Sequence, residues 1–293
     1  MLWQRVLSAA VGIPVLLALI YLGGWYLGAA VLVLSLVGMH EFFRLAEGSG
    51  LRPARAMGYA AAVVVTAAVT LGGEAGPAGR VELPEVGELV ALVLVVVGIS
   101  AIVQQVLWPS PPGAAANAGA TLFGVVYLPL MLSYLVRLRE VGTKVIPLGG
   151  GGWAAESGAL WVALLMLACW AEDTAAYFVG RAIGRHKLCA RISPGKTIEG
   201  AVAGLAAAVV VAAALGRWLG LPLSHGLALG ALIGVFGQLG DLSKSVLKRE
   251  AGVKDAGALI PGHGGVLDRF DSLLFAAPVT FYYLAEASAR LAL

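Results

Sequence analysis

An all-α, polytopic membrane protein is the fold class that this sequence predicts, and three observations predict it. The 293 residues are 59% hydrophobic and only 13% charged, where soluble domains carry roughly 25% charged residues. Mean hydropathy is +0.88. The 40 glycines and abundant alanines suit helices that pack closely in lipid through small residues.

A bilayer core of about 30 Å takes about 20 apolar residues per helix. Nine stretches qualify: 6–22, 26–43, 56–71, 89–107 and 118–135, then 159–178, 201–219, 225–240 and 272–291. The first has Arg5 ahead of an apolar run, as secretory leaders do. The many spans behind it make it a retained transmembrane helix. Residues 73–86, Pro111-Pro112-Gly113 and the glycines at 149–152 read as loops. The expected division is 1–150 as five scaffold spans and 151–293 as four spans carrying the catalytic loops.

Lys and Arg set the orientation. With nine spans, the N-terminus and the loops after spans two, four, six and eight share one side. That side holds the larger share of basic residues, even when the loop after span eight is left out. It is therefore expected to be cytoplasmic. The net charge of +3 is small and its basic residues sit in short loops, which argues against nucleic-acid binding. Cys169 and Cys189 match neither a metal spacing nor a disulfide framework. Trp25, Tyr26, Trp108, Trp153, Trp218, Tyr282 and Tyr283 fit the interfacial aromatic belt. His40-Glu41 at the end of span two reads as the close of a span.

The chemistry concentrates in residues 240–272, GDLSKSVLKREAGVKDAGALIPGHGGVLDRFDS. Charges at a membrane edge are costly unless they function. If span eight continues helically past Gly240, then Asp241, Ser245 and Lys248 share one face at i, i+4 and i+7. A break at Gly252 precedes Lys254 and Asp255. Gly257, Pro261, Gly262, Gly264 and Gly265, with His263 among them, permit tight turns and close backbone approach to a ligand. Asp268 and Asp271 then open span nine, where the macrodipole favours carboxylates. Carboxylates on both sides of basic residues suit a divalent metal and a polyphosphate.

Two further clusters lie on the same side. In Arg191–Gly200, RISPGKTIEG, Ser193, Lys196 and Thr197 precede a helix opened by Ile198-Glu199. A helix N-terminus beside a lysine is an anion site, although Thr197 could equally serve as a plain N-cap. Within span six lies the pair Glu172-Asp173, and Asp173, Tyr177, Gly180 and Gly184 share a face. An intramembrane carboxylate is a functional candidate, with a snorkelling pair to Arg181 as the bland alternative.

Residues 243–271 resemble the signature of the phosphatidate cytidylyltransferase (CDP-diacylglycerol synthase) family. Ser245, Lys248, Arg249, Lys254, Asp255, Pro261, His263, Gly264, Gly265, Asp268, Arg269 and Asp271 fill its places. Asp173-Thr174-Ala175-Ala176-Tyr177 with Gly180 is similar to its Asp-x-x-Ala-Tyr-x-x-Gly segment. Ser193–Gly200 is similar to its Ser-Pro-Lys-Lys-Thr-x-Glu-Gly segment, with Gly195 where a lysine is common. The specific likeness covers about residues 165–275.

The resemblance implies CTP and phosphatidic acid as substrates, CDP-diacylglycerol and pyrophosphate as products, and Mg²⁺ as cofactor, with a second metal or a monovalent cation such as K⁺ as helper. On that reading Asp241, Asp268 and Asp271 hold metal, and these three with Lys248 and His263 form the catalytic set. Ser193, Lys196, Thr197, Ser245, Arg249, Lys254, Gly264, Gly265, Arg269 and Asp173 bind substrate. A homodimer in the inner or plasma membrane is expected. Two other readings remain at this stage: a CTP-dependent polyprenol or phytol kinase, and a secondary transporter built around Asp173.

Overall fold

The computed structural model describes residues 2–73, 83–108, 113–142, 144–148, 154–257 and 264–291. The helices are α1 (Leu2–Leu22), α2 (Gly24–Gly48), α3 (Arg55–Gly73), α4 (Leu83–Leu107), α5 (Ala114–Val125), α6 (Met131–Arg139), α7 (Ser157–Ile183), α8 (Ile198–Trp218), α9 (Leu223–Glu250) and α10 (Leu267–Leu291). A π-helical turn, Val126–Leu130, joins α5 to α6 without a break in direction. Pro129 lies inside that turn; proline cannot donate to the helical ladder, and a wider turn absorbs the missing bond.

Each of the nine expected spans falls on a helix. Among the described residues, seven helical segments are long and apolar enough to cross a membrane, with Ala10–Leu22 as a shorter apolar one. The protein is therefore an all-α, multi-pass membrane protein. The strands are short: β1 (Val145–Pro147) pairs with β2 (Ala154–Glu156), and β3 (Lys187–Cys189) with β4 (Ser193–Thr197), both antiparallel. These hairpins lie in stretches that read as loops, because runs of three to five residues carry no period.

Two compact units divide the chain, Met1–Arg137 with Leu247–Phe270, and Leu138–Val246 with Asp271–Leu293. In the first, α2, α3 and α5 pack around Phe42, Phe43, Phe123 and Tyr127. Gly58 and Gly124 leave room for these rings; a Cβ at Gly58 would stand 2.5 Å from the Phe43 ring. Ala54 N–H donates to Thr121 Oγ1 at 2.8 Å and Arg52 N–H to Asn117 Oδ1 at 2.7 Å, fastening the turn after α2 to α5. Val95, Val96, Ile99 and Val106 are exposed along α4, the composition of a lipid-facing surface.

In the second unit, α8 is lined with small residues where it meets α7 and α9. Gly200 and Gly204 lie against Ala176 and Glu172 of α7. Gly226, Gly230 and Gly234 of α9 lie against Ala213, Val209 and Leu205 of α8. Spacing small residues four apart lets helix backbones approach in lipid, where dispersion and not water exclusion drives association.

Candidate active site

The second unit contains a cavity of about 520 Å³. Its walls are the Glu172–Arg181 face of α7, the β3–β4 hairpin, the start of α8, and Gln238 and Asp241 of α9. Asp173, Tyr177 and Gly180 line it from one helix face, as their spacing predicts. Arg181 donates to Tyr177 Oη at 2.9 Å. Ser193, Lys196 and Thr197 line it from the hairpin, so two clusters some twenty residues apart in sequence form one wall.

Thr197 is the N-cap of α8. Its hydroxyl accepts the Gly200 N–H at 3.1 Å and the residue is buried. His186 closes the hairpin onto the same helix, with Nδ1 2.7 Å from Glu199 Oε1. Both contacts fasten the hairpin at the end of its second strand, where α8 begins. It presents Lys196 beside a helix N-terminus, where anions are favoured.

α9 does continue past Gly240, as far as Glu250. Asp241 Oδ2 meets Lys196 Nζ at 2.6 Å, and Oδ1 meets Lys244 Nζ at 3.1 Å. Lys244 also ion-pairs with Asp271. Two carboxylates thus converge on one ammonium, with a second ammonium alongside. Asp271 Oδ1 accepts the Ser272 N–H at 2.8 Å. Ser245 spends its hydroxyl on the Asp241 carbonyl at 2.9 Å. At Gly240, α9 lies close against α10; a side chain there would run into the Asp271 carbonyl.

The first unit holds the rest of the 240–272 stretch. Gly252 has φ +69° and Gly264 φ +83°, left-handed values that glycine adopts without strain. Lys248 Nζ, from before the first of these glycines, donates to Asp268 Oδ1 at 2.7 Å, and Asp268 Oδ2 accepts the Ala256 N–H at 3.0 Å and the Gly265 N–H at 3.4 Å. Arg249, Lys254 and Arg269 are exposed. His263 and Pro261 lie outside the described residues.

Lys244 and Glu41 escaped the sequence reading of the site, and Glu172 entered it only as half of the Glu172-Asp173 pair. Lys244 bridges Asp241 and Asp271; its i,i+3 spacing from Asp241 was the available signal. Glu172 is buried beside the cavity, and among the described residues neither of its oxygens has a hydrogen-bond partner. Glu41 accepts the N–H groups of Val266 at 3.0 Å and Leu267 at 2.8 Å. Its partners stand 225 and 226 positions away, beyond anything local pattern can reach.

An all-α membrane protein with lysines and carboxylates gathered at helix ends is suited to handling a phosphorylated substrate. The comparisons with known proteins agree. The model of the cytidylyltransferase family matches residues 3–286. The chain is 36% identical to a phosphatidate cytidylyltransferase of Synechocystis sp. over 96% of both chains. It is 30% identical to that of Staphylococcus aureus (strain COL) over 97% of this chain and 99% of the relative. With that of Bacillus subtilis it shares 37% identity over 58% of this chain and 59% of the relative. The chain belongs to the cytidylyltransferase family and is a nucleotidyltransferase.

Proposed function

We propose that the protein is a phosphatidate cytidylyltransferase, converting CTP and phosphatidic acid into CDP-diacylglycerol and pyrophosphate. The observation that carries this is the cavity wall, where Lys196 and Asp241 face the same space as Asp173 and the N-terminus of α8. A phosphate oxygen of the lipid attacks the α-phosphorus of CTP, and pyrophosphate departs. Such transfers depend on positioning and charge neutralisation. The nucleophile is already an anion, so no strong base is needed. Lys196, with Ser193, binds the triphosphate, and Lys244 holds Asp241 and Asp271 in register. Lys248, Arg249, Lys254 and Arg269 serve the same reaction as anion-binding residues, and Asp268 as a carboxylate ligand.

The donor set fits Mg²⁺. Among the described residues no three acidic, His or Cys side chains form a cage, and Mg²⁺ does not ask for one; it takes one or two carboxylates plus waters and substrate phosphates. Asp241 and Asp271 would hold it, and the ion would supply charge neutralisation on the phosphates. The site faces the cytoplasm of the inner or plasma membrane, the side that holds CTP. The homodimer expected from the family belongs to the same proposal.

The test is an assay of purified protein with radiolabelled CTP, phosphatidic acid and Mg²⁺. A lipid-soluble cytidine product with equimolar pyrophosphate is expected. In a parallel reaction with a polyprenol or phytol in place of phosphatidic acid, release of CDP with a phosphorylated lipid alcohol would instead indicate a kinase.

A further inference from the structure

We propose that Glu41 is a positioning residue for the transfer reaction, acting through Asp268. The inference rests on the cytidylyltransferase reading above. Glu41 lies in α2, near the end of a transmembrane span, and is 3% exposed. A buried carboxylate is costly unless its oxygens are satisfied. Here both are: Oε1 takes the Val266 N–H and Oε2 the Leu267 N–H. α10 begins at Leu267, so the acid closes two of the backbone donors that a helix start leaves open. The positive end of the α10 macrodipole adds to the attraction.

The surroundings are shaped for this contact. A Cβ at Gly265 would stand 2.5 Å from Oε2 and 2.6 Å from Oε1, and one at Gly257 would come 2.8 Å from the Glu41 carboxyl carbon. Both glycines therefore leave space that the carboxylate fills. The next residue after Leu267 is Asp268, whose own carboxylate is aimed by Lys248, Ala256 and Gly265. Holding positions 266 and 267 sets where Asp268 projects, and Glu41 is a side chain from another helix that does so. An ordinary structural acid would have no such address.

The experiment compares wild type, Glu41→Gln, Glu41→Ala and Gly257→Ala as full-length proteins in detergent. It measures kcat, the KM for CTP, and hydrogen exchange at the Val266 and Leu267 amides. Glu41→Gln keeps one acceptor and Gly257→Ala keeps the acid but displaces it, so both remain informative where Glu41→Ala fails to fold. Misplacing a reacting group by about 1 Å costs on the order of 100-fold in rate. The expected result is a kcat loss of about that size, smaller for Gln than for Ala, with KM for CTP within about twofold and faster exchange at the two amides. Faster exchange with wild-type kcat in the variants overturns the inference alone. A wild-type protein that makes no pyrophosphate overturns the functional reading and this inference with it.

Discussion

Lys196 of the β3–β4 hairpin and Asp241 of α9 form an ion pair at 2.6 Å, each about one quarter exposed at the side chain. The pair ties the β3–β4 hairpin to the cluster of Asp241, Lys244 and Asp271. Lys196→Met removes the cation from the cavity while preserving the length of the side chain. A hydrogen bond to a charged group contributes about 1.5–3 kcal/mol, and partial exposure favours the lower end. The KM for CTP is therefore expected to rise about tenfold; steady-state kinetics at fixed phosphatidate checks it, and an unchanged KM removes Lys196 from the binding role.

Asp241, Lys244 and Asp271 lead to a second expectation, for metal removal. Stripping Mg²⁺ with a chelator should abolish turnover, and returning Mg²⁺ should restore it. Asp241→Asn should leave the helical circular dichroism intact while turnover stays lost at any Mg²⁺ concentration. Activity that persists in the chelator would separate these carboxylates from a metal.

Gly240 offers a test of packing against propensity. In an exposed helix, Gly→Ala gains up to about 1 kcal/mol. At Gly240 the added methyl meets the Asp271 carbonyl, a backbone atom that cannot rotate aside. Gly240→Ala should lower both the unfolding midpoint and the activity. Gly98→Ala in α4, with nothing within 4 Å of the new carbon, should leave the midpoint unchanged or raise it. Equal behaviour of the two variants would remove the close α9–α10 approach as their cause.

The two cysteines report on sidedness. Cys189 sits on the hairpin and is partly exposed, whereas Cys169 is buried in α7. A membrane-impermeant maleimide should label one cysteine, in inside-out vesicles and not in right-side-out ones. Labelling from the outer face would invert the orientation proposed from the Lys and Arg bias.

Much of this was legible in the sequence, and the reasons differ from place to place. The nine apolar runs coincide with helices because hydrophobic length is a local property. Asp173, Ser193, Lys196, Thr197 and Asp241 meet at one cavity because each was already marked by a polar residue at a helix end or within a span. Thr197 caps α8, the plainer of its two readings, and also lines the cavity. The apolar run of span eight ends at Gly240, where hydropathy falls, but α9 runs ten residues further on a charged face, the continuation that places Asp241, Ser245 and Lys248 at helical spacing. The hairpins gave no periodic signal. Glu41 and Lys244 were seen as charges and not as partners, because pairing is a property of three-dimensional proximity.

The bond from Glu41 to Leu267 also has a consequence for biosynthesis. α2 enters the membrane early, and its acid waits for a partner 226 residues downstream. At ribosomal speeds of about 5–20 residues per second, that is an interval of roughly ten seconds or more. Nascent or truncated chains ending before Val266 carry an unanswered carboxylate in their oldest helices. The acid gains both backbone donors only once the start of α10 has been made, so this contact between the second helix and the tenth forms late in synthesis.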